Sequence, residues 1–252
     1  MTRLHLVPNT LDFGAPGEPA SLDELLPQGV IRTAAGLTHW VCENAKTTRA
    51  FLKRVDRVVP LTRPLQELSI VELPRPNKGR ETGSDASVFS ALLAPARDGH
   101  DIGLISEAGL PALADPGALL VAAAHAAGIP VVVHPGASSI ALALAASGLN
   151  GQSFAFVGYI PVPADARAAR IRALEATSRR EGQTQLLIET PYRNAALLEA
   201  LLGHLQPATA LSVSVGLTLP GAYTQSASVA QWRQRPPTLP ADIPAVFALL
   251  AR

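Results

Sequence analysis

The 252-residue chain has a single cysteine, few aromatic residues and a formal net charge of only +1. A lone Cys42 can form neither an intrachain disulfide nor a CxxC metal site. The chain therefore lacks the large excess of basic residues that is typical of a protein that coats nucleic acid. No apolar run approaches the length that spans a bilayer, since even residues 119–133 are interrupted by His125 and Pro130. The N-terminus lacks a long apolar stretch with a cleavage site, so we expect a soluble, cytoplasmic protein.

Several catalytic signatures are also missing. The sequence has no G-x-x-x-x-G-K-[ST] phosphate loop, no G-x-S-x-G nucleophile elbow and no G-x-G-x-x-G turn. Its six histidines are scattered, and none is paired at i, i+4 or flanked by cysteine. We therefore predict no metal site, and an ordinary dinucleotide site is disfavoured.

Aliphatic residues are abundant, and they predict a large core. Hydrophobic residues make up 48% of the chain and charged residues 16%, which argues against disorder. Hydrophobic periodicity predicts alternating strands and helices, hence an α/β protein with a domain boundary near Pro135. Strands are predicted at 4–7, 30–33, 68–73, 101–105, 129–134, 154–158, 185–189, 211–217, 223–228 and 243–250. Helices are predicted at 22–26, 39–55, 87–97, 115–127, 140–147, 165–178, 194–202 and 229–233, with a mobile-looking loop at 74–80.

Two loops of small residues directly follow predicted strands. One is Ser106 to Pro111, which leads to a helix opened by Asp115-Pro116-Gly117 and capped at its C-terminus by Gly128. The other is Pro135 to Ser139, after a β-branched strand suited to the buried middle of a parallel sheet. Small residues let a ligand approach backbone N–H and C=O groups. Two such loops on neighbouring strands could line one cleft, although ordinary tight βα turns have the same pattern.

Five segments together resemble the tetrapyrrole methylase superfamily, and within it the branch of 16S rRNA ribose-methylating enzymes. They are GLISEAGLPALADPG (103–117), VVVHPGASSIALALAASGL (131–149), FAFVGYIP (154–161), IETPYRNAALLEAL (188–201) and ENAKTTRAFLKR (43–54). The resemblance covers nearly the whole chain in register. It implies two α/β domains, 1–134 and 135–252, with S-adenosylmethionine in the cleft between them, and a homodimer.

The resemblance also implies a set of cofactor contacts. They are Pro8, Asn9, Ser106, Ala108, Gly109, Pro111, Ser138, Ser139, Thr190, Gly216, Leu217 and Thr218. The chain departs from the rRNA branch at Leu110, where threonine is common, and in residues 217–223. Three alternatives therefore stay open, namely a methyltransferase that acts on rRNA or another cytoplasmic substrate, a tetrapyrrole or corrinoid C-methyltransferase, and a non-catalytic protein that binds the cofactor.

The methyl donor is already activated, so such an enzyme works mainly by proximity and orientation. A ribose hydroxyl would benefit from a general base, whereas an electron-rich tetrapyrrole carbon needs little help. The candidate catalytic groups are Glu107, Glu189 and Tyr192, while Glu43 is expected at a solvated helix position, and His125 and His134 are expected to be structural. Two basic groups could bind RNA phosphates or tetrapyrrole carboxylates, or simply face water. They are Arg167, Arg170, Arg172, Arg179 and Arg180, and Arg49, Lys53, Arg54 and Arg57.

Overall fold

The computed structural model describes residues 2–12, 20–74 and 86–252. Its contacts divide the described chain into two compact units. Unit 1 extends to Ala137 and unit 2 begins at Ser138. Each unit contains one five-stranded sheet, so the expected α/β class is confirmed. The limits of the domains, 1–134 and 135–252, stay a prediction.

Unit 1 is built on a fully parallel sheet. Its strands are β1 (Leu4–Leu6), β2 (His39–Cys42), β3 (Ser69–Glu72), β4 (Ile102–Ile105) and β5 (Val131–Val133), in the order β3-β2-β4-β1-β5. The helices described in unit 1 are α1 (Leu22–Leu25), α2 (Gln28–Gly36), α3 (Ala45–Val58), α4 (Ala86–Leu92), α5 (Ala94–Arg97) and α6 (Ala118–Ala126), with a 3-10 turn at Leu65–Glu67. Parallel strands need crossover connections, so helices cover both faces of this sheet.

Alternation along β2 shows how the two faces of this sheet are filled. Trp40 packs with Phe51 and other residues of the α1–α3 side. Val41, the next residue, packs with Leu120 and other residues of the α4–α6 side. All four residues are buried, as expected for the two cores of a three-layer α/β unit.

Unit 2 has a mixed sheet. Its strands are β6 (Phe154–Gly158), β7 (Thr184–Ile188), β8 (Ala210–Val215), β9 (Tyr223–Ser228) and β10 (Ala245–Leu250), in the order β6-β7-β10-β8-β9. Only β6 and β7 pair in parallel. The helices described in unit 2 are α7 (Ser139–Ser147), α8 (Ala164–Glu181), α9 (Asn194–His204) and α10 (Val229–Gln234), with a 3-10 turn at Pro191–Arg193. Val246 of β10 packs with α7 on one face, while Phe247 packs with α8 and α9 on the other.

Two predicted elements are wrong in type. Residues 30–33, predicted as a strand, belong to helix α2, because Val30, Ile31, Ala34 and Ala35 share one buried helical face. The helix predicted at 39–55 is split, since its first residues form strand β2, which lies between β3 and β4 in the sheet. Helix α3 begins only after Asn44, whose side chain accepts hydrogen bonds from the next turn and caps the helix.

The strand predicted at 129–134 was expected in the middle of the sheet, and this is wrong. Strand β5 lies at the edge, and Val133 is 63% exposed. Strand β1 lies between β4 and β5, so the two small-residue loops do not follow neighbouring strands. The C-cap of α6 is Ala127 and not Gly128, which follows the cap with a φ of 68°. The helix predicted at 87–97 is interrupted at Leu93, just before Pro95 in the first turn of α5.

Two further findings concern only the described residues. The loop predicted at 74–80 lies outside them from residue 75 onward. Within the three described ranges, no helix is long and apolar enough to cross a membrane.

Candidate functional site

Three loops of unit 1 meet at the carboxyl edge of its sheet. They follow β1 (Val7 to Thr10), β4 (Ser106 to Pro111) and β5 (His134 to Ala137). Because the strands are parallel, all three loops leave the sheet on the same side, the usual position of ligands in such folds. We call this group the loop cluster of unit 1.

Asn9 holds two of these loops together. Its backbone N–H donates to the carbonyl oxygen of Gly109 at 2.9 Å. Its side-chain Nδ2 donates to the carbonyl oxygens of Ser106 (3.2 Å) and Glu107 (3.0 Å), and its Oδ1 accepts from the Thr10 N–H. The Asn9 amide is buried and largely engaged within the protein. It therefore fixes the shape of the loop that follows β4.

Glycines allow these loops to approach closely. A Cβ on Gly136 would lie 2.3 Å from Cβ of Pro8, a distance that real structures do not show. Gly109 has a φ of 66°, and a Cβ there would lie 3.3 Å from Cδ2 of Leu11. A side chain at position 136 would push the loops apart, and one at position 109 would require Leu11 to shift by a few tenths of an ångström. The predicted contacts Pro8 and Gly109 therefore belong to one tightly packed region.

The loop after β4 also carries backbone strain. Ala112 and Ala114 have φ values of 64° and 66°, a left-handed conformation that alanine rarely adopts. Such residues cost of order 1–3 kcal/mol each and concentrate at functional sites. In the same loop the Ser106 hydroxyl is buried and has no hydrogen-bond partner among the described residues. Native proteins rarely bury an unsatisfied hydroxyl, so Ser106 is consistent with a ligand-binding role.

An acidic group adjoins the loop cluster. Oε2 of Glu43 accepts a hydrogen bond from the Glu107 N–H at 3.1 Å. Glu43 is half-buried in the connection between β2 and α3, so its expected solvated helix position is wrong. Burial, and then the negative charges of Glu43 and Glu107, raise the pKa of Asp115 to about 7. No role was predicted for Asp115 from the sequence. Acidic residues follow two parallel strands and precede α6, and this pattern could have indicated an acidic group here.

One of the basic residues assigned to possible RNA contacts has a different role. Arg54 donates to Oγ1 of Thr10 at 3.1 Å and to the carbonyl oxygen of Ala20 at 2.9 Å. Its Nη2 also lies 3.1 Å from Oδ2 of Asp12, an ion pair without hydrogen-bond geometry at that oxygen. Arg54 therefore stabilises the loop after β1.

The histidine expected to be structural at position 134 has a polar partner. Nε2 of His134 lies 2.9 Å from Nδ1 of His5, and Nε2 of His5 lies 3.4 Å from Oδ2 of Asp101. Burial, and then the nearby His5, lower the pKa of His134. A neutral His134 can share one proton with His5, which ties β5 to β1.

In unit 2, Glu189 is held by an arginine. Nη2 of Arg193 lies 2.7 Å from Oε1 of Glu189, whose side chain is buried. The same oxygen accepts from the Thr190 N–H at 2.7 Å, and Nε of Arg193 donates to Oγ1 of Thr190 at 3.2 Å. These bonds hold the Glu189 carboxyl group in one position. This arrangement suits a positioning role better than proton transfer, and the catalytic role of Glu189 stays a prediction.

The other predicted residues of unit 2 lie near the start of α7 and after β7 and β8. Ser138 caps α7, its Oγ accepting from the Ala141 N–H, and Ser139 is the first residue of that helix. Leu217 packs against the core shared by α7, β7 and β10. Gly216 and Thr218 have φ values of 60° and 70°. For β-branched Thr218 this φ is a true outlier, and its contact with the cofactor stays a prediction.

The sequence matches the family model for Tetrapyrrole (Corrin/Porphyrin) Methylases over residues 25–231. The chain belongs to the tetrapyrrole methylase family. Two relatives in this comparison are named ribosomal RNA small subunit methyltransferase I. The protein from Micromonospora olivasterospora is 39% identical over 110 residues, which cover 44% of this chain and 34% of the relative. The protein from Pseudomonas aeruginosa is 42% identical over 110 residues, covering 44% of this chain and 36% of the relative.

A tetrapyrrole methylase of known structure has the same fold. The uroporphyrin-III-C-methyltransferase from Thermus thermophilus aligns with a TM-score of 0.53 at 21% identity, covering 99% of this chain and 94% of that one. At that identity the likeness concerns the fold alone. The matched stretches span only about a third of the length of the two curated rRNA relatives.

Within this tetrapyrrole methylase the loop cluster of unit 1 contains half of the predicted contacts. Those residues are Pro8, Asn9, Ser106, Ala108, Gly109 and Pro111. The remaining six, Ser138, Ser139, Thr190, Gly216, Leu217 and Thr218, lie in unit 2. Among the described residues no group of three or more His, Cys, Asp or Glu side chains could hold a metal ion.

Proposed function

We propose that this tetrapyrrole methylase transfers a methyl group from S-adenosylmethionine to RNA, with a ribose hydroxyl of small-subunit rRNA as the acceptor. The observation that carries the proposal is the family match over residues 25–231. The RNA substrate is supported by the names of relatives that share about 40% identity with this chain. A ribosomal substrate also implies a cytoplasmic location. The homodimer implied by the family resemblance stays a prediction.

The loop cluster of unit 1 fits part of such a cofactor. The buried hydroxyl of Ser106 has no hydrogen-bond partner in the described part of the chain, and Gly109 and Gly136 keep the loops free of side chains. Backbone groups beside small residues can bind an adenine or a carboxylate. We assign cofactor binding to Pro8, Asn9, Ser106, Ala108, Gly109 and Pro111, and the contacts in unit 2 stay a prediction.

When bound, S-adenosylmethionine supplies a methyl group on a positively charged sulfur. The protein then has to align the acceptor and exclude water, because orientation provides most of the rate enhancement. Asn9 contributes by holding the loop after β4 in one shape. Glu43 does the same from the other side through its bond to the Glu107 N–H. Neither role requires a protein nucleophile.

A second candidate is a C-methyltransferase for a tetrapyrrole or corrinoid. The description of the matched family and the fold shared with the Thermus thermophilus enzyme favour it. The identity of this chain to that enzyme is 21%, against 39% and 42% over the matched stretches of the rRNA relatives. We therefore place RNA first. Methyl transfer to a uroporphyrinogen and not to RNA would reverse this order, and cofactor binding without transfer to either would indicate a non-catalytic protein.

The first test is calorimetric titration of the protein with S-adenosylmethionine and S-adenosylhomocysteine, comparing wild type with Gly109→Arg. We expect wild type to bind and the variant to lose at least about a hundredfold in affinity, close to 3 kcal/mol. The arginine would occupy the loop cluster, where a Cβ already meets Leu11 and the carbonyl oxygen of Ala137. Transfer of a labelled methyl group to small-subunit rRNA is measured next.

Gly128→Arg is the matched control. Gly128 has nearly the same φ, 68° against 66°, but its added Cβ meets nothing within 4 Å, so this variant should bind normally. Ser106→Ala covers the case in which Gly109→Arg does not fold. It removes a hydroxyl that no described residue bonds, so it should weaken cofactor binding with little change in stability. Absence of binding by folded wild type would disprove the proposal.

A further inference from the structure

Two exposed tyrosines lie at one edge of the sheet of unit 2. Strands β6 and β7 are parallel neighbours, so their carboxyl ends share an edge. Tyr159 directly follows β6, and Tyr192 lies in the 3-10 turn after β7. Tyr192 is 70% exposed, and Tyr159 and Val162 are each 57% exposed. Both tryptophans of the chain are buried, whereas all three tyrosines and Phe154 are exposed.

Tyr192 is exposed and yet supported from below. The guanidinium carbon of Arg193 lies 5.6 Å from the centroid of its ring, a cation–π contact. Arg193 is itself fixed by its ion pair with buried Glu189 and its bond to Thr190. A ring held in place loses little conformational entropy when a flat partner stacks on its free side. This network gives Glu189 and Arg193 a positioning role toward Tyr192.

The residues that follow Tyr159 carry a positive charge, because several of them are arginines. Helix α8 begins at Ala164, and its first half carries Arg167, Arg170 and Arg172 against the single carboxylate of Asp165. Arg170 and Arg172 are exposed and Arg167 is half-buried. In the second half of α8, Arg180 pairs with Glu181, and Arg179 donates to the carbonyl oxygen of Arg252. The excess positive charge therefore lies in the half of α8 nearer to Tyr159.

We propose that Tyr159 and Tyr192 form a stacking surface for unpaired bases of the RNA substrate, with Arg167 and Arg170, neighbours on one side of α8, binding its phosphates. Exposed aromatic rings beside a positively charged track are what single-stranded nucleic acid requires, because every base has a flat π face and every phosphate a charge. The excess of positive over negative charge favours a polyanionic partner such as RNA. The inference rests on the proposed function for the choice of RNA.

The test measures fluorescence anisotropy of a labelled single-stranded RNA of about ten nucleotides with wild type and variants. Tyr192→Ala and Tyr159→Ala should each weaken binding roughly tenfold, since each removes one stacking partner. Tyr192→Phe keeps the ring and should restore wild-type affinity. Phe154→Ala is the matched control, because Phe154 is also exposed but lies at the amino end of β6. Arg170→Gln should reduce the salt dependence of binding by about one phosphate contact.

Titration of each variant with S-adenosylmethionine separates the two proposals. If wild type binds the cofactor and the RNA, but tyrosine replacements leave RNA affinity unchanged, the surface is wrong and the proposed function stands. If the tyrosine variants lose RNA while wild type binds no cofactor, the surface stands and the methyltransferase fails. No RNA binding by wild type overturns the inference. So does a change in oligomeric state of the tyrosine variants with unchanged RNA affinity, which would indicate an interface between two copies.

Discussion

Gly136→Ala is expected to lower the free energy of unfolding by about 3 kcal/mol, at the upper end of the usual cost of overpacking. The new methyl group would lie 2.3 Å from Cβ and 2.5 Å from Cγ of Pro8. The Pro8 ring cannot rotate away from the new methyl group. Both loops are also anchored to neighbouring strands, β1 and β5. The loops must therefore separate. Chemical denaturation gives the change in stability, and calorimetry gives the accompanying loss of cofactor affinity.

Gly29→Ala provides the same substitution in the same unit without the clash. Gly29 lies in α2, and an added Cβ there meets nothing within 4 Å. Alanine is the better helix former, so this control should be neutral or stabilising by up to about 1 kcal/mol. Equal stabilities of the two variants would show that the loops after β1 and β5 are not packed as described.

Asp115→Asn is expected to stabilise the protein at alkaline pH and to have little effect near pH 4. The folded-state pKa of Asp115 is raised to about 7 from its ordinary 3.8. Below the ordinary value the carboxyl is protonated in both states, so its ionisation does not affect stability. Between the two values only the unfolded chain loses the proton. Stability therefore falls as pH rises through this window, and the full penalty is present above about pH 7.

Asparagine removes that penalty because it stays neutral. Asp115 is partly exposed and solvent screens its charge, so we expect a gain of roughly 1–2 kcal/mol above pH 7, well below the value a fully buried group would give. Denaturant titrations at several pH values measure it. Asp242→Asn makes the same replacement at an exposed loop position and is the control. Glu43→Gln should lower the upper limit of this pH window, because Glu43 is one of the charges that raise the folded-state pKa of Asp115. A flat difference between wild type and Asp115→Asn across pH would count against this account.

Local sequence patterns predicted most strands of the fold but not their positions in the sheets. The apolar runs at β4 and β10 were readable because a short continuous apolar run is a local signal. The β-branched run at β5 was also read correctly as a strand, yet it lies at an edge. Strand order depends on crossovers between distant residues, which local periodicity does not contain. The strand predicted at Val30-Ile31, which lies in α2, was wrong for a related reason. Two β-branched residues in a short window fit both the helical and the strand period.

The sequence predicted which loops form the candidate site, but not how their side chains interact. The small residues of the loop after β4 marked its position, and the family resemblance pointed to Ser106 and Gly109. The pKa of Asp115 and the pairing of Glu189 with Arg193 depend on burial and on distances between side chains. Neither quantity can be read from residue order. The same limit applies to Arg54, whose partners lie more than thirty residues earlier in the chain.

The order of strands in unit 2 has a consequence for how it can be made on the ribosome. Strand β10 is the last of its strands to be synthesised, yet it lies between β7 and β8 and pairs with both. Until residues 245–250 leave the exit tunnel, the β6–β7 pair and the β8–β9 hairpin have no hydrogen bonds to join them. Strand β10 completes both cores of unit 2 at the same moment. Phe247 and Leu249 pack into one core, and Val246 packs into the other. The sheet of unit 1 is complete once Val133 has emerged, so unit 1 can fold during translation while unit 2 must wait for its central strand.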